Sequence, residues 1–307
     1  MNQPASIPDL VTELSRARLQ ASALDWPRSQ PADLPTAYAA SISVREARVR
    51  AGEVPVGYKV GFTNRTIWPI YNVYEPIWGT VWRSTLHQVA SSAPNEGVLS
   101  LAGLCEPRIE PEIVFGLRES PPAGCDLAAL AASIDWMAHG FEIVHTHFPG
   151  WKFSGAQAVA DGGLHGLLLV GHRIKPAAGT DAKTLASALS NLRLKLYGND
   201  VLKDEGVGAH VLDGPLQALL HFVQALRSTP GAPPLQAGDV ITTGTLTDAH
   251  PVRPGDTWYS EIAAADPLAA QLEGLTVRFS QAAGHPTVQA CVAGGRGCSR
   301  TAWHAVQ

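Results

Sequence analysis

Ile109-Glu110-Pro111-Glu112-Ile113-Val114-Phe115 is an apolar segment interrupted twice by a carboxylate. As a β-strand it sends Glu110 and Glu112 to the same face, because side chains alternate with period 2. Like charges held together in a low-dielectric place are costly unless a cation or a proton intervenes. An arbitrary Glu-x-Glu on an edge strand would be a solvated acidic face; the flanking Ile113, Val114 and Phe115 favour a metal instead. A third carboxylate, Glu142, sits in the apolar run Gly140-Phe141-Glu142-Ile143-Val144. Alone it would serve equally as a buried salt-bridge partner, but with the pair it is better explained as a ligand. Three oxygen donors suit Mg²⁺ or Mn²⁺, which leave coordination positions for water and a chelating substrate.

Outward from this segment the texture is a mixture of short strands and helices. Val56 to Phe62, Ile77 to Trp82, Arg108 to Leu117, Gly140 to Thr146, Leu167 to Val170, Asp239 to Thr243, Thr257 to Ile262 and Leu275 to Phe279 read as strands. Ser6 reads as a helix start, with Leu10, Leu14, Ala17, Ala21 and Leu24 at helical spacing. A second helix is expected from Pro35 to Ala51, stopped by Gly52 and Pro55. Cys125 to Ala132 and the segment from Pro215, with Leu216, Leu219, Leu220, Val223 and Leu226 on one face, complete the helices. Strands and helices do not alternate regularly, so an α+β fold around a mixed or antiparallel sheet is preferred over a doubly wound one. The division expected is a helical portion over 1–55, a mixed-sheet domain over 56–280 and a loosely ordered tail over 281–307.

A chain of 307 residues is long enough to bury about three quarters of its unfolded surface. Charged residues make up only 16%, with 23 basic and 27 acidic side chains and no basic cluster of the kind that neutralises phosphates, so no nucleic acid is expected as a partner. The start Met1 to Leu10 lacks a signal-peptide pattern and Leu164 to Val170 is too short to span a bilayer, so no membrane is expected and a cytoplasmic location is. Cys105, Cys125, Cys291 and Cys298 contain no Cys-x-x-Cys pair, which speaks against a disulfide framework or zinc knuckle.

Lys59, in Gly57-Tyr58-Lys59-Val60-Gly61-Phe62-Thr63, either snorkels to water or, beside a metal, holds an anionic substrate or moves a proton. His145 and His147 have the His-x-His spacing of an iron or zinc site. The acid expected a few residues later is missing, and period 2 turns both away from Glu142, so the metal is assigned to the glutamates. His165 is flanked by Gly163-Leu164 and Gly166 in a loop, open to a structural or a catalytic role. Thr242-Thr243-Gly244-Thr245 follows a strand and offers hydroxyls and backbone N–H groups to a carboxylate. There is no Gly-x-Gly-x-x-Gly after a strand, no Walker loop and no Gly-x-Ser-x-Gly.

Taken together, Gly57 to Thr63, Pro107 to Phe115, Phe141 to Val144 with Trp151 and Ala160-Asp161, Gly206-Val207-Gly208, Gly214-Pro215-Leu216 and the turn from Gly238 to Thr245 resemble the 2-keto-4-pentenoate hydratase and 4-oxalocrotonate decarboxylase family, within the fumarylacetoacetate hydrolase superfamily. The resemblance spans about Leu10 to Phe279. It implies a mixed β-roll core with a helical N-terminal portion, and Mg²⁺ or Mn²⁺ on Glu110, Glu112 and Glu142. It also places Lys59 at the substrate and the chain in the bacterial degradation of aromatic rings; beside it, catalytic roles are expected for Lys59, Asp161 and His165 and substrate contacts from Arg108, Thr243 and Thr245. A homo-oligomer is implied, in one reading complexed with a related decarboxylase or hydratase. Two departures stand out: Ile77 replaces an acid common before the aromatic-Gly step, and Ala160-Asp161-Gly162-Gly163-Leu164 replaces the usual Ala-Asp-Asn-Ala-Ser.

The reaction expected is hydration of a 2-hydroxy-2,4-dienoate to a 4-hydroxy-2-oxo acid, with Lys59, Glu75 or Asp161 moving the proton. Decarboxylation of a 2-oxo-dioic acid and hydrolysis of an acylpyruvate, with His165 activating water, use the same chelate. The lost acid at Ile77 also raises the possibility of a catalytically silent partner subunit.

Overall fold

The computed structural model describes residues 6–24, 31–176 and 179–281. Two helices come first, α1 (Ile7–Gln20) and α2 (Leu34–Arg50). Ser6 caps α1 by accepting from the Asp9 N–H, and Asp33 caps α2 by accepting from the Thr36 N–H. Both satisfy a donor that the first helical turn leaves unpaired. The apolar stripe Leu10, Leu14 and Ala17 is buried as the spacing predicts.

The rest of the chain runs β1 (Pro55–Gly61), α3 (Trp68–Tyr71), β2 (Ile77–Trp82), β3 (Leu86–Gln88), β4 (Glu96–Leu99), β5 (Arg108–Leu117), α4 (Leu127–Ala132) and β6 (Ile134–Val144). It continues through α5 (Gly155–Ala160), β7 (His165–Ile174), α6 (Ala182–Ser190), β8 (Arg193–Gly198), β9 (Val201–Val207) and α7 (Pro215–Ser228). It closes with β10 (Val240–Thr245), β11 (His250–Pro251), β12 (Thr257–Ala263) and β13 (Thr276–Phe279). This is the expected α+β architecture, helices on curled mixed sheets.

The larger sheet has eight strands in the order β2-β1-β10-β5-β6-β7-β3, with β11 on β5. Its centre is the antiparallel pair β5/β6, in which Glu110 lies directly opposite Glu142. Strand β10 enters between β1, to which it is parallel, and β5, to which it is antiparallel. The smaller sheet has five strands in the order β4-β13-β12-β8-β9. The two sheets approach closely: a Cβ on Gly97 of β4 would come within 2.7 Å of Leu169 in β7. His139 of β6 bridges them, with Nδ1 2.9 Å from the Glu112 carbonyl oxygen and Nε2 2.8 Å from Ser260 Oγ of β12.

Several expectations need correction. The strand placed at Gly140 to Thr146 starts six residues earlier, at Ile134, and ends at Val144. His145 and His147 therefore lie beyond its end rather than on its face. The strand at Leu167 to Val170 extends over His165–Ile174, because β6 and β3 pair along both its edges. Strands β3, β4, β8, β9 and β11 and helices α3, α5 and α6 are additional to those expected. The tail over 281–307 lies, apart from Gln281, outside the described residues. Among the described residues no helix is long and apolar enough to cross a membrane.

Candidate active site

Strands β5 and β6 bring Glu110, Glu112 and Glu142 together, with one carboxylate oxygen of each within 4.8 Å of the others. Glu112 and Glu142 are fully buried, and Glu110 is half-buried and lines a pocket. Glu112 Oε2 accepts from the backbone N–H groups of Thr243 (2.9 Å) and Gly244 (2.6 Å) at the end of β10, and its Oε1 has no hydrogen-bond partner. Gly244 is required there: its φ is +94°, and a Cβ would sit 1.9 Å from Thr63 Oγ1.

Lys59 of β1 is buried, with Nζ 3.4 Å from Glu142 Oε2. The stem of Lys59 is covered by Gly163, whose φ is +69° and whose missing Cβ would lie 3.0 Å from Lys59 Cδ. The Gly162-Gly163 departure from the family pattern thus forms the seat of the lysine. Glu142 Oε1 lies 2.7 Å from His165 Nδ1, and His165 Nε2 lies 2.8 Å from Thr85 Oγ1. His165 opens strand β7 rather than lying in a loop, and it touches the acid cluster only through Glu142, since it lines a separate cavity and not the pocket at the acids.

Electrostatics give the three acids different characters. Burial pushes Glu112 well above the usual carboxylate range, with Glu142 and Glu110 adding to the push. Burial also lifts Glu110 to about 7, against the pull of Lys59 and Arg108. Glu142 is opposed by burial too, yet Lys59 and His165 hold it below the ordinary value. Burial disfavours the Lys59 ammonium, but Glu142, Glu110 and Glu112 outweigh it and keep the lysine a cation. Three acids sharing one dry spot with one lysine are short of positive charge, and the unpartnered Glu112 Oε1 is a lone pair that a cation would satisfy. All three donors are oxygens, as Mg²⁺ or Mn²⁺ requires.

The pocket above the acids measures about 870 Å³ including the space open to solvent. Phe62, Tyr71 and Phe153 stack in series along its wall, at ring separations of 4.8 and 5.4 Å. Arg108 lies over the Trp151 ring at 4.1 Å.

Of the residues singled out in the sequence, Lys59, Arg108, Glu110 and Thr245 line this pocket. Thr243 serves it from behind: its N–H holds Glu112 and its hydroxyl donates to the Ile113 carbonyl oxygen. Asp161 is not brought to the pocket. Its carboxylate lies 2.7 Å from His147 Nδ1 and 3.7 Å from Arg18 Nη2, beside a separate cavity. Glu75 is exposed and lines neither cavity. The Thr242–Thr245 turn does give its N–H groups to a carboxylate, that of Glu112, but this partner and the His165–Glu142 contact are not legible in the sequence, since both join separate segments of the chain.

A mixed-sheet α+β fold with a buried oxygen-donor triad and a lysine defines a class of proteins built around a candidate divalent-cation site. Residues 102–277 match the family described as fumarylacetoacetate (FAA) hydrolase C-terminal. The chain is 30% identical over 223 residues to a 2-hydroxyhexa-2,4-dienoate hydratase of Comamonas testosteroni, across 72% of this chain and 79% of that protein. It is 27% identical over 254 residues to a 4-oxalocrotonate decarboxylase of Pseudomonas putida, across 80% of this chain and 89% of that one. The fold is also that of the solved 4-oxalocrotonate decarboxylase from Pseudomonas putida G7 complexed with magnesium and adipate, at a TM-score of 0.75 and 23% identity, over 89% of this chain and 97% of that chain. The chain belongs to the fumarylacetoacetate hydrolase family.

Proposed function

We propose that this chain is a hydratase, dependent on a divalent metal, that adds water to a 2-hydroxy-2,4-dienoate of aromatic-compound degradation and yields a 4-hydroxy-2-oxo acid. The observation that carries the reading is the buried Lys59 Nζ 3.4 Å from Glu142, at the floor of a pocket whose acids end in an unpartnered oxygen. Glu110, Glu112 and Glu142 would hold Mg²⁺ or Mn²⁺, which when bound supplies Lewis-acid stabilisation of negative charge on the substrate's 2-oxygen.

The remaining work falls to the chain's own groups. Lys59 places a fixed ammonium beside the acid end of the substrate, where it stabilises the enolate and holds a proton at Nζ. His165 and the Thr243 and Gly244 N–H groups keep Glu142 and Glu112 in position. The wall of Phe62, Tyr71 and Phe153 receives the apolar diene and limits access of bulk water. In the reaction the 2-hydroxyl proton is lost and the chain end gains one. The resulting enone takes a hydroxyl at its fourth carbon and a proton at its third. With Glu75 exposed and Asp161 turned to His147, Lys59 is the group assigned to proton movement. A homo-oligomer belongs to this reading and is tested by light scattering.

One observation favours a second reading. Arg108 stacks on Trp151 without an ion pair to any carboxylate among the described residues, and it would suit the distal carboxylate of a dioic acid, the substrate form of a decarboxylase. Assaying the Mg²⁺-loaded chain on 2-hydroxypenta-2,4-dienoate and on 2-oxohex-3-enedioate decides between them. Hydration of the monoacid without carbon dioxide release supports the hydratase. Carbon dioxide from the diacid alone overturns it.

A further inference from the structure

Beyond the end of β6 a second cluster forms, sharing no residue with the acid triad. Cys105, His145 and His147 place one ligand atom each within 4.8 Å of one another. Both imidazoles are buried, at 2% and 0% exposure, and Cys105 is half-buried. His147 Nδ1 is 2.7 Å from Asp161 Oδ1, so that nitrogen donates and Nε2 carries the lone pair. That Nε2 is buried and has no partner. His145 Nδ1 accepts a long 3.3 Å bond from the Cys105 backbone N–H, a weak contact that a metal bond at that nitrogen would replace.

We infer that Cys105, His145 and His147 form a second metal site, distinct from the carboxylate triad, that takes Zn²⁺.

The donor chemistry selects the ion, since one thiolate and two imidazoles suit Zn²⁺ whereas three carboxylates suit Mg²⁺ or Mn²⁺. The acid that the His-x-His spacing lacked downstream is supplied by Asp161, in the carboxylate–histidine–metal arrangement that fixes tautomer and ring orientation. The three atoms, within 4.8 Å of one another, have to close to about 3.5 Å, the separation that tetrahedral zinc bonds impose. Three protein ligands leave a fourth position for water.

The test uses the full chain carrying Glu112→Gln, which silences the triad. Zn²⁺ binding is measured by competition with a chromophoric chelator, and Co²⁺ is used as a spectroscopic probe. One equivalent of Zn²⁺ is expected, with a thiolate-to-cobalt charge-transfer band and protection of Cys105 from alkylation. Cys105→Ser should abolish the band, and Cys105→Ser or His147→Gln should weaken Zn²⁺ by more than about a hundredfold, beyond the effect of losing an orienting partner. Asp161→Asn, which removes the carboxylate that orients His147 while leaving all three ligands, should weaken it by about 10- to 100-fold. Should His147→Gln fail to fold, the half-exposed Cys105→Ser, checked by circular dichroism, decides alone. A band that survives Cys105→Ser, Zn²⁺ affinity unchanged by that variant, or rapid alkylation of Cys105 in saturating Zn²⁺ would overturn the site.

Discussion

Along β8 the side chains alternate, with Leu194 and Leu196 buried and Arg193 and Lys195 exposed, while along β5 burial from Pro111 to Leu117 is unbroken and takes in the carboxylate of Glu112. The first pattern is what a strand needs to cover a core on one side. The second contains a group that burial penalises, so its reason lies outside folding. The smaller sheet supports; the larger sheet holds the candidate site at a cost to its own stability. Substitutions in the two sheets should therefore fail in opposite ways.

The largest contrast is Glu112→Gln, expected to lower metal-dependent turnover by about a thousandfold or more. Its thermal unfolding midpoint without metal should be unchanged or higher, because a buried acid near like charges has been neutralised. Turnover within tenfold of the parent chain would remove the triad from the mechanism. On the other sheet, Leu196→Ala deletes a fully buried side chain and should cost about 2–5 kcal/mol in denaturant unfolding. Its kcat below the melting range should stay near that of the parent; a large loss of kcat would show that the smaller sheet also shapes the site.

A subtler probe within the larger sheet is Lys59→Met, which keeps the stem under Gly163 and removes the charge. Turnover should fall by about a hundredfold, with metal affinity little changed. Parent-level turnover would make the lysine a packing residue, and loss of metal alone would make it a support for Glu142. The smallest effect tests the joint between the sheets. Burial lowers His139 to about 4 from an ordinary value near 6.5, so the unfolded chain binds the extra proton between those values. The contribution of His139 is full above about pH 6.5 and is lost as pH falls toward 4. His139→Gln should flatten the acid limb of a plot of melting temperature against pH, and an unaltered slope would place acid lability elsewhere.

How far the molecule can be read from its sequence follows the range of the interactions. Strand β5 is legible in full, since Pro107 and the apolar run mark both its ends. Strand β6 reads short, because Ile134 to His139 mixes Asp135 and His139 with apolar residues. What makes it a strand is pairing with β5, where the bare Cα of Gly116 leaves room for the Trp136 indole. The β8–β9 hairpin does carry a local signal: alternating leucines before an Asn199-Asp200 turn, both residues at positive φ. In the site, the three glutamates stand out as charges in apolar strands. Their supports do not, because Gly244 lies 132 residues from Glu112 and His165 lies 23 from Glu142. Asp161 and His147, though only 14 residues apart, meet across α5, and nothing local marks them as partners.

The position of β10 has a consequence for the order in which the protein comes into being. This strand is made late yet sits in the middle of the larger sheet, between β1 and β5. A chain emerging from the ribosome as far as Leu235 already holds Lys59 and all three glutamates. It lacks the strand that joins β1 to β5 and the N–H groups that grip Glu112. Contacts of such long sequence separation form slowly and leave strand edges open in the meantime. On the proposed cation role of the triad, capture of the ion is then a late step of biogenesis and does not seed the fold. Stalled nascent chains ending at Leu235 and at Gln281 should differ accordingly, with only the longer one resisting protease more when Mg²⁺ is added.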